Sequence, residues 1–171
     1  MDIGAEDMSA ALQKVAAEIA EQSTTTTIDL VGLRTRGVTV ADRLAKLLAD
    51  RGLQVRQGVL DVSLYRDDLS RLRQNPRLMG SEINFPVDDS HVILVDDVLF
   101  TGRTIRAALE ELFDYGRPAS VRLAVVADRG HRELPIEANF TAFSIPTSLE
   151  QKVKVRLSEH DGHDAIEVTT S

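Results

Sequence analysis

The sequence contains no cysteine and no tryptophan. Without thiols there is no disulfide framework, no cysteine-based zinc or iron–sulfur site, and no cysteine nucleophile. Aromatic residues make up only 4% of the chain, too few for a platform that stacks single-stranded nucleic acid. No apolar run approaches the roughly 20 residues needed to cross a bilayer. The opening residues, MDIGAEDMSA, have neither a basic start nor an apolar core. A soluble, cytoplasmic protein without a membrane partner is the expectation. Positive charge is also in deficit. Lys and Arg total 20 against 27 Asp and Glu, a formal net charge of −7. That balance disfavours non-specific attachment to a polyanion unless a local basic cluster overrides it. With 43% apolar and 27% charged residues, the chain is neither disordered nor collagen-like, and 171 residues suit one domain.

Residues 1–8 read as a flexible end. Leu12, Val15, Ala16 and Ile19 then recur at helical spacing, with Ser9 as the N-cap. The run 28–33 (IDLVGL) reads as a buried strand, Arg34-Thr35-Arg36-Gly37 as a short polar loop, and Val40, Leu44, Leu47 and Leu48 as a helix stopping at Gly52. Residues 55–64 are strand-like. Residues 65–82 are polar and arginine-rich, with no clear period, which in a compact domain suggests a functional lid. The run 91–95 (HVILV) is an unbroken apolar strand. It is followed by Asp96-Asp97, by Thr101-Gly102-Arg103-Thr104 and by a helix closing at Gly116. Residues 121–127 form another buried strand, and 153–157 with 165–169 a hairpin around Asp161-Gly162-His163-Asp164. His160 and His163, in that turn, read as exposed rather than as metal ligands, and no protein metal site is expected. Strands alternating with helices imply an α/β fold, with a mostly parallel central sheet and helices on both faces.

Ligands of open α/β sheets bind beyond the carboxyl ends of the strands. The most informative strand end is residues 92–104, VILVDDVLFTGRT. The apolar strand fixes the acidic pair. Two adjacent carboxylates can accept bonds from vicinal hydroxyls or face a hard cation. The turn that follows opens a helix, whose free N–H groups and threonine hydroxyls can wrap a phosphate at the positive end of the helix dipole. Together these parts suit a ribose 5-phosphate. A receiver domain also carries an acidic doublet after an apolar strand, but on its first strand and without a phosphate-type loop.

This run resembles the phosphoribosyl-pyrophosphate (PRPP) signature of the type I phosphoribosyltransferases. Leu33-Arg34-Thr35-Arg36-Gly37, Leu64-Tyr65-Arg66-Asp67-Asp68-Leu69, the segment 128–136 (DRGHRELPI) and Ile145-Pro146-Thr147-Ser148 narrow the resemblance to the PyrR family. These are pyrimidine operon attenuators that also act as uracil phosphoribosyltransferases. The resemblance implies a type I phosphoribosyltransferase fold over 9–171, with 65–82 as a mobile hood loop and a C-terminal β-hairpin. It implies conversion of uracil and PRPP to UMP and pyrophosphate in pyrimidine salvage, with Mg²⁺ accompanying PRPP. Asp96 and Asp97 would hold the ribose hydroxyls, and Val98, Leu99, Phe100, Thr101, Gly102, Arg103 and Thr104 the 5-phosphate. Arg34, Thr35, Arg36 and Gly37 would take the pyrophosphate. Arg66 in the hood would act in catalysis with the acidic pair, and Asp128, Arg129 and Val153 would lie at the nucleobase. A homo-oligomer, dimer or tetramer, is implied as well.

The family's other role, a UMP-responsive attenuator bound to pyrimidine leader RNA, rests on a basic surface. Here Lys14, His131 and Arg132 remain of it. Ala10, Ala17, Glu137 and Phe143 stand where the family is normally basic or polar. Residues 1–27 carry five acids and one lysine. Each lost phosphate contact removes a released counterion and its share of affinity, so the catalytic role is expected to dominate.

Overall fold

A computed structural model describes residues 2–62 and 80–171. The chain runs α1 (Ala5–Gln22), β1 (Thr27–Leu33), α2 (Arg36–Asp50), β2 (Gln54–Leu60), β3 (Glu82–Ile83), β4 (His91–Leu99), α3 (Arg103–Phe113), β5 (Ser120–Asp128), β6 (Phe140–Ser144), β7 (Gln151–Arg156), α4 (Ser158–Asp161) and β8 (Ala165–Thr170). Six strands form one sheet in the order β3-β2-β1-β4-β5-β6, all parallel except β3, and β7 with β8 forms a separate antiparallel hairpin. This is the α/β architecture read from the sequence.

The unbroken apolar runs are explained by two-sided burial. Successive strand side chains point to opposite faces. Thus Ile93 and Val95 of β4 join a core with α1 and α2, while Val92 and Leu94 join a second core with Ile105, Ala108 and Leu112 of α3. β5 divides in the same way, Ala124 and Val126 against Leu123 and Val125. Asp29 is the exception within a buried strand. Its carboxylate receives two bonds, at 2.6 and 2.9 Å, from Arg56, its register partner on β2, so the charge is paired.

Several boundaries differ from the sequence reading, and β2 stops at Leu60, with Asp61 and Val62 outside it, where a strand over 55–64 is expected. The first helix begins at Ala5 rather than after Ser9, and residues 2–8 are not a loose end: Met8 is fully buried and Ile3 pairs with Ile166 of the hairpin. The apolar pattern in fact starts at Met8, and Asp7 accepts the Gly4 N–H at 3.2 Å in the first turn. Arg36 and Gly37 are the first turn of α2, not loop. β4 runs past Val95 to Leu99, so the acidic pair lies within a strand hydrogen-bonded to β5. Two short edge strands, β3 and β6, had no reading, because a two-residue strand and the mixed run FTAFS carry too little periodicity.

The candidate active site

Strand order reverses between β1 and β4: β1 leads to β2 on one side, and β4 leads to β5 and β6 on the other. A crevice opens at such a switch point, and here the two polar strand ends meet in it. Gly37, at the start of α2, lies so close to β4 that a Cβ on it would stand 2.5 Å from the Val95 carbonyl oxygen and 3.3 Å from an Asp96 carboxylate oxygen. Gly32 in β1 is pressed equally hard, since its Cβ would stand 2.7 Å from the Val38 Cα. Sequence reasoning passed over Gly32, although a lone glycine inside a buried strand is a signal of close backbone approach.

Beyond β4 lies a cavity of about 330 Å³ lined by Asp96 and residues 98–105. The acidic pair has two environments. Asp96 is buried and its carboxylate accepts the Asp97 N–H at 2.9 Å, whereas Asp97 is half-buried. The cavity floor is the turn into α3. Gly102, the N-cap, has φ +94°, a conformation that favours glycine, and a Cβ there would press on Ile136 at 3.2 Å. The Thr101 hydroxyl accepts the Arg103 N–H at 3.3 Å, and the Thr101 carbonyl accepts the Glu133 N–H at 2.9 Å. The Arg103 side chain turns outward to Glu133. Helical N–H groups at this end have no intrahelical partner and meet the positive end of the dipole, which is the chemistry of an anion site.

The Arg34–Gly37 turn faces the same crevice. The Arg34–Thr35 peptide is cis. Arg34 donates to the Gly80 carbonyl at 2.7 Å, and Arg36 reaches the Asp161 carboxylate of α4 at 2.8 Å. Thr35 is exposed. Arg66, with most of the 65–82 segment, lies outside the described residues.

Asp128 and Arg129 end β5. The Arg129 guanidinium is buried, stacked 3.9 Å from the centre of the Phe100 ring, and donates to the Ser148 carbonyl; burial lowers its pKa. It therefore ties the floor of the cavity to the segment before β7. Asp128 binds the Gly130 N–H and the Arg132 guanidinium. Val153 lies in β7, packed on the α1–α2 side of the core, apart from the cavity lining. Of the residues read as an RNA surface, Lys14 is exposed. Arg132 donates to Ile136 and Phe100 carbonyls and to Asp128, all within 2.8 Å, and His131 contacts the Thr147 carbonyl. Among the described residues no group of three or more His, Asp or Glu gathers where it could hold a metal ion, and no helix is long and apolar enough to cross a membrane. The carboxylate pair beside an anion cavity still fits a Mg²⁺ ion that arrives with its phosphate ligand, because such an ion takes few protein oxygens.

The phosphoribosyl transferase domain model matches residues 4–159. The chain is 45% identical over 168 residues to a protein of Deinococcus radiodurans named bifunctional protein PyrR, with 97% of this chain and 92% of that one covered. It is 46% identical to the protein of that name in Thermus thermophilus, covering 97% and 93%. Among solved structures it is similar to the hypoxanthine phosphoribosyltransferase of Trypanosoma cruzi, with a TM-score of 0.67 at 22% identity over 84% of this chain and 80% of that one. That likeness is one of fold. A parallel sheet with this switch point, an acidic pair on β4 and an anion turn at α3, and these relatives along nearly its full length, make the chain a member of the phosphoribosyltransferase domain family and, within it, of the PyrR family.

Proposed function

We propose that the protein transfers the phosphoribosyl group of PRPP to uracil, giving UMP and pyrophosphate, in pyrimidine salvage. The observation that carries this reading is the junction of three parts at one crevice: the Asp96–Asp97 pair, the anion cavity of residues 98–105, and the Arg34–Gly37 turn against Asp96. In the reaction the bond from C1′ to pyrophosphate oxygen breaks, a bond from C1′ to uracil N1 forms, and the N1 proton leaves. The turn at residues 98–104 holds the 5-phosphate with backbone N–H groups and the Thr101 and Thr104 hydroxyls. Asp96 and Asp97 accept the ribose hydroxyls and so fix the ring while positive charge develops at C1′. Arg34 and Arg36, with the Gly37 backbone, take the departing pyrophosphate, which a guanidinium binds through paired donors. Mg²⁺ bound to PRPP would supply further neutralisation of the leaving group. Arg129 shapes the base end by stacking on the Phe100 ring, and Asp128 by holding the Gly130 N–H and Arg132, whereas Val153, packed on the α1–α2 side of the core, is not assigned to it. Arg66 is assigned to the leaving-group side. A homo-oligomer is part of the same proposal, supported by the family resemblance.

The second reading is the attenuator. The relatives' name, bifunctional, favours keeping it in view. What weighs against it is the use already made of the cations. Three donors of Arg132 are committed inside the fold, His131 is held by Thr147, and Glu137 is exposed on the same segment. The deciding experiment measures UMP formation from uracil and PRPP beside a gel shift on the organism's own pyrimidine leader RNA. Turnover with weak, salt-sensitive RNA binding is the expected result. Tight UMP-stimulated binding that survives 200 mM salt, where the Debye length has fallen to about 7 Å, with no turnover, would reverse the order of the two readings.

A further inference from the structure

The first two turns of α2 carry polar residues at positions 36, 39 and 43, one face of the helix at i, i+3 and i+7 spacing. Each meets a partner from the hairpin's short α4 and its turn. Arg36 Nη2 donates to both Asp161 oxygens, at 2.8 and 3.1 Å. The Thr39 hydroxyl lies 2.6 Å from the His160 ring. Arg43 holds Asp164 through two nitrogens, at 2.8 and 2.7 Å, and Glu159 through Nε at 2.9 Å. The hairpin is thus latched to the helix that opens with the Arg34–Gly37 turn. Asp161 itself is anchored from its own side. Its side chain is 10% exposed, and it accepts the Leu157 N–H at 2.9 Å and an Arg156 donor at 3.3 Å. The Leu157 N–H first, then Arg36 and Arg156, hold its carboxyl down at about 2, so it stays ionised. Asp161 is the only carboxylate that Arg36 meets among the described residues, and the Arg36 Nε is buried without a hydrogen-bond partner. The orientation of this guanidinium is therefore set by one distant residue.

We propose that Asp161 is the positioning residue for Arg36, so that the C-terminal hairpin helps to build the pyrophosphate site. The inference rests on the reading of Arg34–Gly37 as that site. An arginine free to sample its rotamers binds a polyanion after ordering; one already held has less order to lose. Asp161 cannot reach the ligand through its own carboxylate, which would repel it, and acts only through the guanidinium.

The test measures inorganic pyrophosphate affinity by calorimetry and the KM values for PRPP and uracil, in the full chain. Asp161→Asn keeps an acceptor for the Leu157 N–H and is expected to weaken pyrophosphate binding and raise the PRPP KM by about tenfold, the lower end of a charge-assisted contact, with the uracil KM little changed. In an Arg36→Gln background the same change should add nothing, because the group it positions is gone. Glu159→Gln loosens the latch without touching Arg36 and should leave pyrophosphate affinity as it is. Asp161→Glu gives a smaller loss of the same kind and serves if the asparagine variant does not fold. Unchanged or tighter pyrophosphate binding in Asp161→Asn, while Arg36→Gln weakens it, would overturn the positioning role. So would an equal loss in Glu159→Gln or full additivity with Arg36→Gln. If Arg36→Gln itself leaves pyrophosphate binding intact, the assignment of the Arg34–Gly37 turn fails, and this inference with it.

Discussion

Asp96 and Asp97 are neighbours in sequence but not in environment, and their substitution separates position from charge. Asparagine keeps the shape of the side chain and one acceptor, and turns the other oxygen into a donor facing a hydroxyl. Each of Asp96→Asn and Asp97→Asn is expected to cut turnover with PRPP about ten- to a hundred-fold, the equivalent of one charge-assisted bond of about 1.5–3 kcal/mol, with the fold intact by circular dichroism. Full activity in both would remove them from the ribose site. The buried Asp96, whose carboxylate caps the Asp97 N–H, is the position where some stability is lost as well. These two residues were legible in the sequence because an apolar strand and a glycine turn frame them. Asp161 was not, because its partner Arg36 is 125 positions away and only the folded hairpin brings them together. A separation of 121 positions hides Thr39 and His160 likewise: the histidine is exposed, as its turn suggested, yet it is also hydrogen-bonded.

The elements of the sheet were readable wherever burial imposed a period, and became ambiguous where neighbours did the work. Two-sided burial made 91–95 and 121–127 plain strands, whereas the edge strand β6 depends on β5 for its definition. Gly32 and Gly37 let α2 sit close on β1 and β4. Gly37→Ala would drive a methyl into the Val95 carbonyl, and lifting the helix to relieve it should cost about 1–3 kcal/mol, the usual range for overpacking. A lower denaturation midpoint together with weaker PRPP binding is expected; a variant equal to the parent in both would show that the helix end yields freely. The latch between α2 and the hairpin has its own signature in acid. Arg43, the largest influence, holds Glu159 at about 2, down from 4.5, and also lowers Asp164. A carboxylate depressed in the folded state stabilises fully above its unfolded pKa, and that contribution is lost as pH falls through the folded value. Stability should therefore decline between about pH 4.5 and 2. Arg43→Gln should lower the midpoint at pH 7 and flatten that decline, as followed by denaturant titration at each pH. An unchanged acid slope would show that the latch carries little of it.

At the scale of the molecule, the proposed choice between enzyme and attenuator turns on charge. The net charge of −7 and the acidic first helix oppose an RNA backbone, and only Lys14 of the expected cations is free of structural duty in the contacts described above. Losing about four cationic contacts corresponds to a thousand-fold or greater loss of affinity at physiological salt. Glu137→Arg, at an exposed position, should recover part of it and steepen the salt dependence without altering UMP formation. Phe143→Lys is the poorer probe, since Phe143 lies in β6 and packs against the core, and its replacement costs packing as well as adding charge. No gain in RNA affinity from Glu137→Arg would mean that the missing charge is not what separates the two roles. The bridge between Ile3 and Ile166 adds a consequence in time rather than in space. A ribosome delivers the amino-terminal residues first and the hairpin last, and domains begin to fold as they emerge. The opening residues must therefore wait through synthesis of nearly the whole chain for their partner. A nascent chain halted before residue 166 lacks the partner of Ile3, so this contact belongs to the late part of folding, after the hairpin has been made.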